Sequence, residues 1–187
     1  AGAFKLHNET DSVRYLLLAY PDIASYLKVK HEIWSDTIFR DAAQPFYDLT
    51  APNPVYSEFE SLLCEAFDKI PKMKNPDKDR TLFELRHYKS PNEEANQRKI
   101  KMFNLDEIAV FDKVGINSVC YGEVIAGNRM PSIIYLTWYK DEPARNAVWG
   151  EFVKHPEWLR IKNIKEYAHT ATDNKNRLLS PMPYSQF

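Results

Sequence analysis

"RTLFELRHYKS" (residues 80–90) is the stretch on which the fold turns. Successive side chains of a strand point to opposite faces, so Phe83, Leu85 and His87 share one face, and Glu84, Arg86 and Tyr88 share the other. A sheet that carries helices needs an apolar face to receive them. The expectation is that Phe83 and Leu85 pack under helices. The polar trio then lines whatever the opposite face of the sheet encloses.

Downstream, "NEEANQRKIKMFNLDEIAVFDKVG" (92–115) places Ile100, Phe103, Val110 and Val114 near helical spacing. Asn104 followed by Glu107 resembles a capping box and predicts a bend or restart there, with Gly115 ending the helix. "INSVCYGEVI" (116–125) and "SIIYLTWY" (132–139) read as an antiparallel strand pair joined through Gly127, Asn128 and Pro131. Asp141 caps a second helix with Pro143 in its first turn, and Val148, Trp149 and Phe152 face the sheet. His155-Pro156 interrupts that helix, "EWLRIKNIKEY" (157–167) resumes it, and "HTATDNKNRLL" (169–179) supplies a last strand. The order is βαββαβ, an α+β ferredoxin-like arrangement of two helices on a four-stranded antiparallel sheet.

The beginning of the chain echoes this unit. Gly2, Asn8 and Tyr15 match Gly122, Asn128 and Tyr135 at a constant offset of 120, Tyr20 and Asp22 match Tyr139 and Asp141, Trp34 matches Trp149, and Leu62-Leu63 matches Leu178-Leu179. The echo starts in the middle of a second strand. Residues 1–70 therefore read as an incomplete copy lacking its first strand and helix, 71–79 as a linker and 80–187 as a complete domain. On this reading the whole protein carries roughly 60 to 80 further residues ahead of Ala1.

Composition excludes several classes. The 187 residues are 44% hydrophobic and 13% aromatic, enough for a packed core, and 25 Lys and Arg against 26 Asp and Glu leave a net charge of -1. That balance gives no electrostatic footprint for nucleic acid, and the lysine-rich "KIPKMKNPDKDR" (69–80) reads as a solvated linker. No apolar run approaches the roughly 20 residues of a membrane span. Cys64 and Cys120, far apart and outside any CxxC, read as buried free thiols. The compartment stays open.

"LFELRHY" (82–88), "KIKMFNLDEIAVFDKVG" (99–115), "IIYLTWYKD" (133–141), "HPEW" (155–158) and "LLSPMPYS" (178–185) together resemble the NIPSNAP family, particularly its two-repeat bacterial members. The resemblance implies a domain of the dimeric α/β barrel type, in which two sheets close around an interior. The family has no general, settled enzymatic role. Fold relatives include cofactor-independent monooxygenases, isomerases, haem-handling proteins and binding modules, so no catalytic set is carried over.

The residues themselves nominate no cofactor and no metal. "HEIWS" (31–35) has Ser35 where a zinc protease motif needs its second histidine, and His7, His87, His155 and His169 lack ligand spacing. His155 and Trp158 read as a packed helix junction, and Trp34 and Trp149 as sheet–helix core. His87, Tyr88 and His169 could transfer protons, although His87 shares the face of Phe83 and Leu85. The reading is a small-molecule-binding or interaction module with a polar barrel interior, open to homo-oligomerisation. The alternatives are a cofactor-independent monooxygenase or isomerase, and a structural assembly module. The candidate ligand residues are Glu84, Arg86, Tyr88, Asn117, Tyr121, Tyr135, Thr137 and Tyr139, suited to an anionic or carbonyl-bearing group.

Overall fold

The computed structural model describes residues 1–8, 10, 12–49 and 53–187. Two compact units form, one from residues 1–17 and 62–187 and the other from 18–61, a division that cuts across the expected boundary near residues 70–80. In the larger unit lie the strands β1 (Gly2–Leu6), β2 (Arg14–Leu17), β3 (Leu63–Ala66), β4 (Leu82–Lys89), β5 (Asn117–Ala126), β6 (Ser132–Tyr139) and β7 (Asp173–Pro181). The smaller unit holds α1 (Ile23–Glu32) and α2 (Thr37–Tyr47).

Each helix of the smaller unit starts at an aspartate whose carboxylate accepts a backbone N–H of the first turn, Asp22 from Ser25 and Asp36 from Phe39. Trp34 packs on Phe39 and Tyr47 but stays 57% exposed. The expectation of a sheet–helix core position for Trp34 is therefore corrected. Its neighbours are rings of the same unit, too few to enclose an indole.

Among the described residues of the larger unit, seven strands form one antiparallel sheet in the order β2-β1-β7-β4-β6-β5-β3. The central β7-β4-β6-β5 is the order of the split βαβ arrangement. Its helices are α3 (Glu93–Met102), which runs through a π-helical turn (Phe103–Glu107) into α4 (Ile108–Val114), then α5 (Glu142–Lys154) and α6 (Pro156–Ile161). Asn92 caps α3 by accepting from the Ala95 N–H, and Asp141 caps α5 by accepting from that of Ala144. Gly115 closes α4 at φ +84°, a left-handed conformation that an L side chain resists.

The irregularity expected at Asn104 is present, as a π-helical turn over Phe103–Glu107 and not as a capped restart. The helix runs on without a cap because the π turn absorbs one residue and swings Glu107 inward, while the Asn104 side-chain Oδ1 accepts from the Lys69 backbone N–H. His155 does separate α5 from α6, and its Nδ1 accepts from the Glu157 N–H at 3.3 Å. Trp158 packs 4.5 Å from Phe152, so this pair is a helix junction.

Two cores lie on opposite faces of the sheet. The helix-side core gathers Leu82, Tyr88, Phe103, Phe111, Tyr121, Tyr135, Tyr139 and Phe152. The other gathers Phe4, Leu6, Phe83, Val119, Leu136, Leu179 and Phe187, with Tyr15, Leu17, Met73 and Leu85 packed against it. Because that second core joins residues of β1 and β2 to residues of β5, the sheet curls around it.

The expected faces of β4 are thus inverted. Phe83 and Leu85 line the inner, curled face, and Glu84, Arg86 and Tyr88 lie under the helices. The inner face is apolar at Phe4, Phe83 and Phe187, whose rings sit 4.8 to 6.1 Å apart, so the expected polar barrel interior is not what the sheet encloses. The expected linker is also partly built in. Ile70 is buried, and the Lys74 N–H donates to the Val119 carbonyl.

Candidate functional site

Glu84 is the centre of the helix-face cluster. Its side chain is fully buried, and β4 delivers it opposite Thr137 of β6 and Leu178 of β7. A buried carboxylate needs donors on both oxygens. Oε1 accepts from Arg86 Nη1 at 3.0 Å and from Arg145 Nη2 at 2.7 Å. Oε2 accepts from Arg145 Nε at 3.0 Å and from Trp149 Nε1 at 2.9 Å, with the Tyr139 hydroxyl at 3.5 Å. Two guanidinium groups therefore share one carboxylate, and the cluster carries one net positive charge.

Arg86 is held from several sides. Its Nε donates to the Tyr88 hydroxyl at 2.6 Å, which lies 2.9 Å from the Tyr135 hydroxyl, and its guanidinium stacks 4.1 Å from the Trp149 ring. With the Asn176 amide turned so that its oxygen faces the strand, that oxygen accepts from Arg86 Nη2 at 3.3 Å. Burial alone would lower the Arg86 pKa. The surrounding Tyr135, Tyr88 and Glu84 outweigh it and move the pKa upward, so the guanidinium stays charged.

The tyrosines are hydrogen-bonding walls rather than bases. Burial pushes the Tyr121 and Tyr135 phenols well above their ordinary range and raises Tyr88 and Tyr139 as well. Thr137 Oγ1 lies 3.0 Å from the Tyr139 hydroxyl and joins it to the network. A second buried pair sits beside the first, Lys99 Nζ at 3.5 Å from Glu107 Oε2, with the Phe103 ring 5.0 Å from the ammonium. Burial raises the Glu107 pKa, and Lys99 counters part of that rise.

Six of the sequence candidates thus come together under the helices: Glu84, Arg86, Tyr88, Tyr135, Thr137 and Tyr139. Tyr121 stacks on Tyr135 at 5.1 Å but turns its hydroxyl to Ser118, 3.0 Å away. Asn117 stands apart, donating to the Trp138 carbonyl at 3.4 Å. An irregularity between Ser118 and Cys120 explains the difference, because the bulge shifts β5 by one residue and sends Val119 to the inner face.

His87 points to the inner face, where its Nε2 lies 2.9 Å from Ser132 Oγ. Burial, then the nearby Arg129 and Lys175, lower its pKa to about 4. The thiol expectation is corrected in part, since Cys64 is exposed and Cys120 only half-buried.

Sequence reasoning missed Arg145 as a site residue and read Trp149 only as core. The two are four apart in α5, a spacing that puts them on one helix face, so a helical reading of 142–154 that looked for polar as well as apolar neighbours would have found the pair. Toward β7 the patch opens to solvent. Asn174 and Asn176, opposite Tyr88 and Arg86 on the same sheet face, are exposed. The Arg86 and Arg145 side chains keep 14% and 23% of their surface. Two clefts of about 390 Å³ and 230 Å³ lie elsewhere, the first at Lys113, Lys154 and His155, the second at Glu65, Asn104 and Glu123. Among the described residues no group of acidic, His or Cys side chains is arranged to hold a metal ion, and no helix is long and apolar enough to cross a membrane.

Comparison with known proteins agrees with the fold. The model of the NIPSNAP family matches residues 83–186. A NIPSNAP-like domain protein of Burkholderia xenovorans, itself uncharacterised, is similar at 24% identity over 57% of this chain and 90% of its own, with a TM-score of 0.50. A NIPSNAP family protein of Agrobacterium tumefaciens is similar at 18% identity over 61% of this chain and 96% of its own, with a TM-score of 0.51. At these identities the likeness speaks for the fold alone. No curated protein matches the chain.

Proposed function

Given that this chain belongs to the NIPSNAP family, we propose that it is a binding module for a small molecule bearing a carboxylate or carbonyl group, received at Arg86 and Arg145. The observation that carries this reading is the charge count of the cluster. One buried carboxylate, Glu84, answers two guanidinium groups that both retain exposed surface. The uncompensated charge faces solvent between α5 and β7, beside the Trp149 ring and the amides of Asn174 and Asn176. An anion seated there meets charge-assisted donors, and each such bond is worth about 1.5–3 kcal/mol.

A second reading has its own observation. Glu84 is saturated by donors from β4 and α5, so the cluster also serves as a clamp between sheet and helix. The two roles separate experimentally with benzoate as the probe, since it joins a carboxylate to a ring that can stack on Trp149. Calorimetric titration of Arg86→Met, which leaves Arg145 on Glu84, is expected to show benzoate binding weakened roughly tenfold or more. Unchanged benzoate affinity in a folded Arg86→Met protein removes the binding role and leaves the clamp.

A further inference from the structure

The smaller unit, residues 18–61, has a surface of its own kind. Not one of its described residues is buried, since a unit of this size has too little volume to enclose a core. Its rings collect on the outside. Trp34 lies 5.6 Å from Tyr47, Tyr47 5.3 Å from Phe46, Phe46 6.2 Å from Tyr56, and Tyr56 5.9 Å from Phe59, centroid to centroid. The five form one continuous row in which each ring keeps at least 42% of its surface exposed, rising to 74% at Phe59. Ile38, Ala42 and Phe46 recur every four residues, so Ile38, 82% exposed, extends the row along one side of α2. A contiguous apolar surface of this sort marks an interaction site.

Charge selects what covers it. Over residues 18–61 carboxylates outnumber lysines and arginines seven to three, although the chain as a whole is nearly neutral. They border the row: Asp41 stands three residues after Ile38, Asp48 follows Tyr47, and Glu58 and Glu60 flank Phe59. Among the described residues one ion pair forms in this unit, Lys28 with Glu32 at 4.0 Å, and those four carboxylates take no part in one. A purely apolar partner would bury them without a counter-charge, and an acidic partner or an anionic membrane surface is repelled. A cationic side chain gains twice, from the ring face beneath it and from the carboxylate beside it. Arginine fits best, because its planar guanidinium stacks on a ring while its N–H groups reach a carboxylate.

We propose that the row from Trp34 to Phe59 docks a basic peptide segment of another protein, extended and with arginines alternating with apolar side chains. The ring spacing supports the extended form. Neighbouring centroids 5.3 to 6.2 Å apart approximate the roughly 6.6 Å between every second residue of an extended chain, so successive rings meet successive side chains of one face. The site is independent of the Glu84 cluster, whose guanidinium groups call for a ligand of the opposite charge.

The test titrates the full chain into a fluorophore-labelled peptide made of Arg-Leu repeats and follows anisotropy. Saturable binding is expected. It should weaken about tenfold when Tyr56 and Phe59 are both replaced by serine, and by a similar factor when Glu58 and Glu60 are both replaced by glutamine. All four side chains are exposed, so neither variant removes a core contact and the melting curve by circular dichroism is expected to stay where it was. Absence of saturable binding overturns the proposal. So does a peptide of Glu-Leu repeats that binds as tightly, or Arg-Leu binding that the serine variant leaves unchanged, since charge alone would then account for it. Light scattering on the protein without peptide checks the other occupant: a dimer that the serine variant fails to form overturns the proposal, because a second copy would then cover the rings.

Discussion

Replacing Glu84 by Gln tests the clamp at its centre. The side chain keeps its shape and one acceptor oxygen but exchanges the other oxygen for an NH₂ group. If the oxygen stays toward Arg86 Nη1 and Arg145 Nη2, the new donor faces Arg145 Nε and Trp149 Nε1, which had been bonded at 3.0 and 2.9 Å. Two donors lose their acceptor, and two positive charges remain 14% and 23% exposed with no anion between them. Removing one partner of a buried ion pair costs about 3–5 kcal/mol, and the partial exposure of both arginines argues for the lower end, about 3 kcal/mol. For a chain of this size, where 1 kcal/mol moves the melting temperature by about 2–4 °C, the expected fall is roughly 6–12 °C. Urea denaturation followed by tryptophan fluorescence reads the same loss as a lower midpoint with an unchanged slope, provided unfolding is two-state. A Glu84→Gln protein that melts within 2 °C of wild type refutes the claim that this carboxylate holds α5 to the sheet.

His87 titrates near 4 in the fold and near its ordinary 6.5 when unfolded, so below 6.5 the unfolded chain binds the extra proton. Its contribution to stability is complete above about pH 6.5 and is lost as pH falls toward 4, and His87→Gln is expected to flatten that slope in melting curves; an unaltered slope would assign the acid sensitivity to other groups. Gly122→Val brings a Cβ to 3.0 Å from the Cys64 Cβ and 3.1 Å from the Glu65 carbonyl. It should cost about 1–3 kcal/mol and speed alkylation of Cys64 as β3 loosens from β5, and alkylation at the wild-type rate would show that β3 tolerates the contact.

How much of this was legible differs from element to element. The central strands, the Asp141 and Gly115 helix boundaries and the His155 junction follow from local chemistry, and the sequence shows them. The face of β4 does not. Alternation separates Phe83 and Leu85 from Glu84 and Arg86, but it marks a helix-bearing face only when the other face meets water. Here both faces are buried, one by helices and one by the sheet's own curl. The polar trio can lie under α5 because Arg145 and Trp149, about 60 residues away in sequence, answer its charge. The break at Asn104 was legible in place but not in kind, and the bulge at Val119 was not legible at all, as a π turn and a bulge each add a single residue to a period without altering its composition.

The proposed binding role requires that the two guanidinium groups around Glu84 receive an anion. Nitrogen–proton correlation spectra of the arginine Nε–H groups during a benzoate titration test it most directly, with Arg98 as an internal reference because its Nε is engaged by Glu94 at 2.9 Å. The Arg86 and Arg145 signals are expected to move together along one saturable curve while that of Arg98 stays fixed. Benzoate that leaves Arg86 and Arg145 where they were, or moves all three in proportion to its concentration without saturation, contradicts the claim.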